Sequence, residues 1–387
     1  MPEQFLHGIE IVRIDDGVRP IETVKSSVIG LVGTAPEAND ERFPLDTPVL
    51  VTSRRTEIAG LGTTGTLPMA TDGIFDQCGA MMVIVRVTEG NNREETISNV
   101  IGGIDNATGQ RKGLQALLDA RSVAKVHPRI LIAPDFSHEM AVATEMVSIA
   151  NNLKAVVVAD GPNTTDEAAI SYRENFGSNR IYIVDPWVKV WSTKTKAVAV
   201  EPVSARVAGL LSKSDNERGF WWSPSNQEIR GIVGTARGID FSISDVNCRA
   251  NRLNAKEVAT VIHEEGYRLW GNRTCSSDPK WAFINVSRTA DMIEESLTAA
   301  HLWAMDRNIT KTYVEDVREG VLRYLRHLTK IGAILGGDCW VDRELNTNDQ
   351  LAQGIIYWDF DFTPPPPAEH LVFRSRLVDT YLENIFR

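Results

Sequence analysis

RILIAPDFSHEMAVATEMVSIANNLKAVVVAD, residues 129–160, decides the fold class. The apolar run at 129–135 closes in Pro134-Asp135. Residues 140–154 then repeat apolar side chains at helical spacing, and AVVVAD at 155–160 is a second apolar run too short for a helix. Strand, helix and strand in that order make a βαβ unit, which sets its two strands parallel.

The alternation extends to both sides. Upstream, SVIGLVGTAP (27–36) and PVLVTS (48–53) read as strands, TEIAGLG opens a short helix, and TLPMATDGIFDQCG (66–79) has helical spacing. AMMVIVRV (80–87) is a strand and GLQALLDARSVAKV (113–126) a helix. Downstream, TDEAAISYRENFG (165–177) is a helix with Thr165 as N-cap and Gly177 as the C′ residue, and RIYIVD (180–185) is a strand. Near residue 230 the pattern changes. Residues 223–254 are rich in Ser, Asn, Gly and Arg and lack long periodic segments. Two amphipathic helices follow at 289–307 and 311–330, then strand-like stretches at 331–342 and 354–363, the run Pro364–Pro367, and a last strand at 370–380. The expected organisation is an α/β region with a largely parallel sheet over 27–230 and an α+β C-terminal unit over 231–367. Extended arms at 1–26 and 368–387 flank them.

Composition excludes several classes. The chain has 387 residues, 43% hydrophobic and 24% charged, enough to bury a core without staples. A formal net charge of -10 argues against a nucleic-acid partner, which asks for a basic face. Cys78, Cys248, Cys275 and Cys339 are far apart and form no CxxC pair, as expected of reduced thiols in a cytosolic product. No signal-peptide pattern is visible at MPEQFLHGIEIV, and no apolar run approaches ~18 residues, so neither secretion nor membrane insertion is expected.

Catalytic groupings are sparse. GLGTTG, with Gly60, Gly62 and Gly65, matches GxGxxG, but TEIA before it reads as helix where a dinucleotide loop needs a strand. It reads as a turn. None of the seven histidines stands at a short metal-ligand spacing. Glu264-Glu265 and Glu294-Glu295 read as solvated faces rather than acid/base pairs, because adjacent carboxylates on a helix point apart. No cofactor is expected. A nucleotide-dependent α/β enzyme stays as the alternative, since βαβ alternation allows a ligand site at the strand ends.

Interaction chemistry is richer. GYRLWGNRTCSSDPKWAF (266–283) concentrates aromatics and cations without a catalytic set, and Trp270, Arg273 and Trp281 read as anchors of the C-terminal unit or of a subunit contact. Helix 311–330 carries an apolar stripe of Val314, Val317, Val321, Leu325 and Leu328. Its cations Arg318, Arg323, Arg326 and Lys330 serve either the helix dipole and solubility or an acidic partner. At the ends, Ile9, Ile11 and Ile14 alternate with polar residues. So do Leu371, Phe373, Ser375 and Leu377 against Val372, Arg374 and Arg376. Such strands complete the chain's own sheet or add to a neighbour's, and addition in both directions builds helical polymers.

These stretches resemble one family almost end to end: the contractile tail sheath proteins of temperate myophages and the related R-type pyocin sheaths. The resemblance is carried by HGIEIVRIDDGVRPI, SSVIGLVGTA, NVIGGID, RILIAPD, DGPNTTDEAAISYRENFGSNR, GFWWSPSN, GYRLWGNRTCSSDPKWAF, HLWAMDRNITKTYVEDV and QLAQGIIYWDFDFTPPPPAE. It implies an assembly protein without an active site. Six copies would ring a tail tube, and the rings would stack as a helical sheath that contracts on a baseplate signal. Both arms would augment a C-terminal-domain sheet of neighbouring subunits. The α/β region would lie outside and the C-terminal unit inside, with helix 311–330 against the tube. The partners implied are further copies of itself, the tube protein, and baseplate and tail terminator proteins. The place implied is a virion or pyocin-like tail assembled in the bacterial host cytoplasm.

Overall fold

The computed structural model describes residues 20–386. An eight-stranded sheet organises the first two thirds. The chain runs through β1 (Ile29–Thr34), β2 (Val49–Val51), α1 (Thr66–Phe75), β3 (Met82–Val87) and α2 (Arg93–Ile101). A short pair, β4 (Gly103–Ile104) and β5 (Arg111–Lys112), leads to α3 (Ala120–Val123). Then come β6 (Ile130–Ile132), α4 (Met140–Leu153), β7 (Val156–Asp160), α5 (Asp166–Arg173) and β8 (Ile181–Val184). The hairpin β9 (Val188–Ser192) and β10 (Ala197–Glu201) precedes α6 (Ser204–Glu217), β11 (Gly234–Thr235) and α7 (Arg249–Asn254). The last strands of the sheet are β12 (Val258–His263) and β13 (Tyr267–Trp270).

The order is β13-β12-β8-β7-β6-β1-β3-β2. The inner pairs are parallel, and β2 and β13 close the two edges antiparallel. Ile29, Leu31, Ile84 and Val158 face one core with α1 and α6, while Val32, Val83, Val85 and Val157 face another with α4 and α5. Both faces are covered, so β1, β3, β7 and β8 are buried along their whole length, which is why they read as unbroken apolar runs. Thr165 caps α5 as expected, its Oγ1 accepting from the Ala168 N–H at 3.1 Å. Gly177 is not the C′ residue, since α5 ends at Arg173. The helix expected over 113–126 is a 3-10 turn at Gly113–Asp119 followed by the short α3.

The expected boundary at 230 does not coincide with the edge of the sheet. β12 pairs with β8 and β13 with β12, so residues up to Trp270 pack with the α/β body. The C-terminal unit proper is α8 (Ile284–Ala300), α9 (Lys311–Lys330), β14 (Gly337–Val341), α10 (Asn348–Ala352) and β15 (Trp358–Phe362). β14 and β15 form a separate antiparallel sheet beside α9. Met292 and Ile293 of α8 meet Val321, Tyr324, Leu325 and Leu328 of α9 in its core, with Ile21 and Val24 packed against them. Residues 20–26 therefore lie on this unit, where an extended arm was expected. The Val24 N–H donates to Ser296 Oγ at 3.1 Å.

Candidate functional site: the C-terminal unit and its exposed segment

α9 buries Val317, Val321, Leu325 and Leu328 and half-buries Val314, as its stripe requires. Thr310 starts the helix, Oγ1 accepting from the Tyr313 N–H at 3.2 Å and satisfying one orphan donor. The four cations do not act as one patch. Arg318 turns toward β14, its Nε donating to the Cys339 carbonyl at 2.9 Å. Arg326 pairs with Glu319 at 3.3 Å. Arg323, Arg326 and Lys330 are exposed. The outward set is therefore these three with Glu319 among them, and Arg318 holds the sheet.

Beyond β15 the chain takes no strand or helix from Thr363 to Val378. Its first part is docked rather than projecting as a free spacer. Asn285 Nδ2 donates to the Pro365 carbonyl at 3.1 Å and to that of Trp221 at 3.0 Å. Arg273 grips Glu369 with Nη2–Oε2 at 2.8 Å and Nε–Oε1 at 3.2 Å, and stacks over the Phe283 ring at 5.0 Å. The segment leaves the body after Glu369. From there Leu371, Phe373, Arg374 and Leu377 are exposed, Phe373 by 91% and Leu377 by 99%. The strand expected at 370–380 pairs with nothing among the described residues, and Thr380–Phe386 form a 3-10 turn. A strand needs a partner for its backbone groups, and the described residues supply none there. Ile9, Ile11 and Ile14 lie outside the described residues.

The aromatic cluster divides between the two bodies. Trp270 ends β13 and packs edge-on against Phe241 at 4.9 Å, so it anchors the α/β body, not the C-terminal unit. Arg273 is the clamp on Glu369. Trp281 sits half-buried in a 3-10 turn, its carbonyl accepting from Ser287 Oγ at 2.9 Å.

Sequence reasoning missed the charges that fasten the bodies together. Arg288 pairs with Asp215 of α6 through a bond of 2.8 Å, both side chains being buried. Glu295 takes Arg129 at 2.8 Å, Glu294 takes Lys154 at 2.6 Å, and Asp291 takes Arg180. Glu294 and Glu295 are thus partners of cations just ahead of the inner strands β7 and β6, not a solvated face. A run of acidic residues on one helix was the visible signal, but their partners lie elsewhere in the chain.

Two carboxylates of the α/β body are held by hydrogen bonds and ion pairs within the fold. Asp160 is fully buried and accepts from Ser204 Oγ at 2.6 Å, Ser204 N–H at 2.8 Å and Ser137 Oγ at 3.0 Å. Burial pushes its carboxyl up to about 6 against these donors. Asp166 at the start of α5 receives Arg237 at 2.9 Å and Arg249 at 2.8 Å, and the hydrogen bond from Arg249 holds its carboxyl low. The GLGTTG turn is filled from within, Glu37 accepting from the Thr63 N–H at 2.9 Å where an anion would have to sit. No group of three His, Cys, Asp or Glu among the described residues is arranged to hold a metal. No helix of the described residues is long and apolar enough to cross a membrane.

Comparison with known proteins assigns the family. Residues 26–87 match the tail sheath protein Gp18 domain III N-terminal region, 109–275 the phage tail sheath protein central domain, and 276–377 the phage tail sheath C-terminal domain. The chain is 46% identical to a prophage protein of Pseudomonas aeruginosa (strain UCBPP-PA14) named as a major tail sheath protein, with 98% of each covered. It is 37% identical to the tail sheath protein of Escherichia phage P2, again with 98% of each covered. Its fold is similar to the helical sheath of the anti-feeding prophage in the contracted state, with a TM-score of 0.72 at 18% identity over 96% of this chain and 99% of that one. A contracted sheath of an extracellular contractile injection system gives a TM-score of 0.70 at 16% identity over 98% and 99%. The chain belongs to the phage tail sheath family and is a tail sheath subunit.

Proposed function

We propose that six copies of this chain ring a tail tube, and that the rings stack into a helical sheath whose contraction drives the tube through a target envelope. The α/β body faces outward and the C-terminal unit inward. Arg323, Arg326 and Lys330 of α9 meet an acidic tube surface. The C-terminal segment with Leu371, Phe373, Arg374 and Leu377, and the N-terminal residues Ile9, Ile11 and Ile14, add as strands to sheets of neighbouring copies. The work is mechanical, stored in a metastable lattice, and no catalysis or cofactor takes part. Baseplate and terminator proteins cap the ends, and the particle is a virion or pyocin-like tail assembled in the host cytoplasm.

One observation carries this reading. Past the Arg273–Glu369 clamp, a stretch of alternating apolar and basic residues stands exposed without a strand partner among the described residues. An exposed amphipathic strand is an aggregation hazard unless a specific partner covers it. Electron microscopy of the chain co-produced with its tube protein tests the proposal. Cylinders with six subunits per ring around the tube are expected. A monodisperse monomer beside bare tubes, or rings of another order, contradicts it.

A further inference from the structure

The α/β body carries two exposed apolar patches that neither its core nor the C-terminal unit uses. The first is the outer face of the β10-β9-β11 sheet. Val188 and Val190 of β9 turn inward, to the core shared with α1 and α6. Side chains alternate along a strand, so Lys189 and Trp191 turn outward. The register sets Val198 opposite Trp191 and Val200 opposite Lys189, and Gly234 leaves the far side of Lys189 open. Trp191, Val198 and Val200 are exposed. Lys194 and Lys196 stand exposed in the turn between β9 and β10. The face is thus apolar with a basic rim.

The second patch is the loop ahead of α7. Ile243 is 87% and Val246 73% exposed, the highest values among the large apolar side chains described in the body. Asp245 stands exposed between them, its Oδ1 accepting from the Asn247 N–H at 2.8 Å. Both ends of the loop are anchored, by Phe241 against Trp270 and by the buried Cys248, so its tip is held out as an apolar pair around a carboxylate. Exposed apolar patches with polar rims mark contact sites.

The two patches match in chemistry and cannot meet within one chain. Val261 and Leu269 face the core with α1 and α6, so Ile262 and Trp270 face the other side of the large sheet, and Phe241 packs there. The Trp191 face and the 242–247 loop therefore lie on opposite sides of the sheet. Both also lie away from the C-terminal unit. That unit is fastened by Arg129, Lys154 and Arg180, which stand just ahead of β6, β7 and β8. β9 follows the carboxyl end of β8, and the loop is rooted there through Arg237, which pairs with Asp166 and Asp185.

We propose that the 242–247 loop of one copy docks on the Trp191 face of a second, with Ile243 and Val246 on Trp191 and Val198 and with Asp245 toward Lys189 and Lys196. This rests on the assembly of copies proposed above and adds a contact between bodies that uses neither terminal segment nor α9. One patch meets a different patch, so the contact is heterologous and propagates from copy to copy. Trp191 is its anchor, a large ring that loses its water on contact.

Disulfide trapping on the full-length chain, assembled with its tube protein, tests this. A chain carrying both Val198→Cys and Ile243→Cys is oxidised after assembly. A ladder of covalent oligomers is expected on a non-reducing gel, while each single variant stays monomeric there. Trp191→Ala leaves the melting temperature unchanged and raises the protein concentration needed for polymer by about tenfold or more. Lys189→Glu with Lys196→Glu acts in the same direction, and adding Asp245→Lys restores most of the loss. Circular dichroism confirms that each variant is folded. Absence of a ladder in polymer that otherwise forms, dimers from either single variant, or normal polymer from Trp191→Ala overturns the proposal. If the intact chain and these variants polymerise alike, only this contact is lost. If the intact chain forms no polymer, the sheath reading falls and the contact with it.

Discussion

The α/β body and the C-terminal segment treat apolar residues in opposite ways. In the body, Leu31, Ile84 and Leu131 are fully buried, and both edges of the sheet end in antiparallel strands. In the segment, Phe373 and Leu377 stand almost entirely in water. The first region is a finished fold. The second has a strand-like alternation with no strand partner among the described residues. On the proposed reading stability and assembly sit in different residues, and each can be changed without the other.

The largest effects on stability belong to the junction of the two bodies. Arg288→Ala leaves Asp215 buried and unpaired, and a loss of about 4 kcal/mol is expected in urea unfolding. Were the loss below about 1 kcal/mol, the pair would not fasten α8 to α6. In the sheet, Leu31→Ala opens a cavity between β1 and its helices and costs about 3 kcal/mol. Neither substitution touches the segment, so the fraction that remains folded still polymerises.

Asp160 gives a pH dependence. Its carboxyl is raised from 3.8 to about 6. A folded value above the unfolded one means that its contribution is fully present below about pH 4 and is lost as pH rises through 6. Between these limits the chain loses on the order of 3 kcal/mol relative to Asp160→Asn. Thermal melts of both proteins from pH 4 to 7 check the slope. Parallel profiles would show that Asp160 is ionised throughout.

The smallest stability effects belong to the exposed residues. Phe373→Ser shifts stability by less than about 0.5 kcal/mol, because the side chain is 91% exposed. Its effect is on polymer yield. Reversing Arg323, Arg326 and Lys330 removes the Arg326–Glu319 pair and opposes the dipole of α9, at a cost on the order of 1 kcal/mol in unfolding, and weakens assembly on the tube, more so at low salt, where exposed charges are screened least. Normal yield on the tube at low salt would place the contact elsewhere.

The βαβ body was legible because strands buried on both faces read as apolar runs and their helices as periodic stretches. β12 and β13 escaped. VATVIH follows a helix of only six residues and an irregular stretch, so the alternation that marked the other strands is absent. Trp270 was misplaced for the same reason. The stripe of α9 was readable to the residue, yet Arg318 was not separable from its neighbours, because its partner is a backbone carbonyl on β14. Glu294 and Glu295 looked solvated because Lys154 and Arg129 lie 140 and 166 positions away. The alternation at 370–378 was visible, but among the described residues the segment has no strand to pair with.

The most direct measurement is polymerisation of a chain ending at Glu369, followed by sedimentation and negative-stain microscopy beside the intact protein. The account predicts a soluble monomer with an unchanged melting temperature and no tubes. Tubes of normal diameter and length from the truncated chain would contradict it.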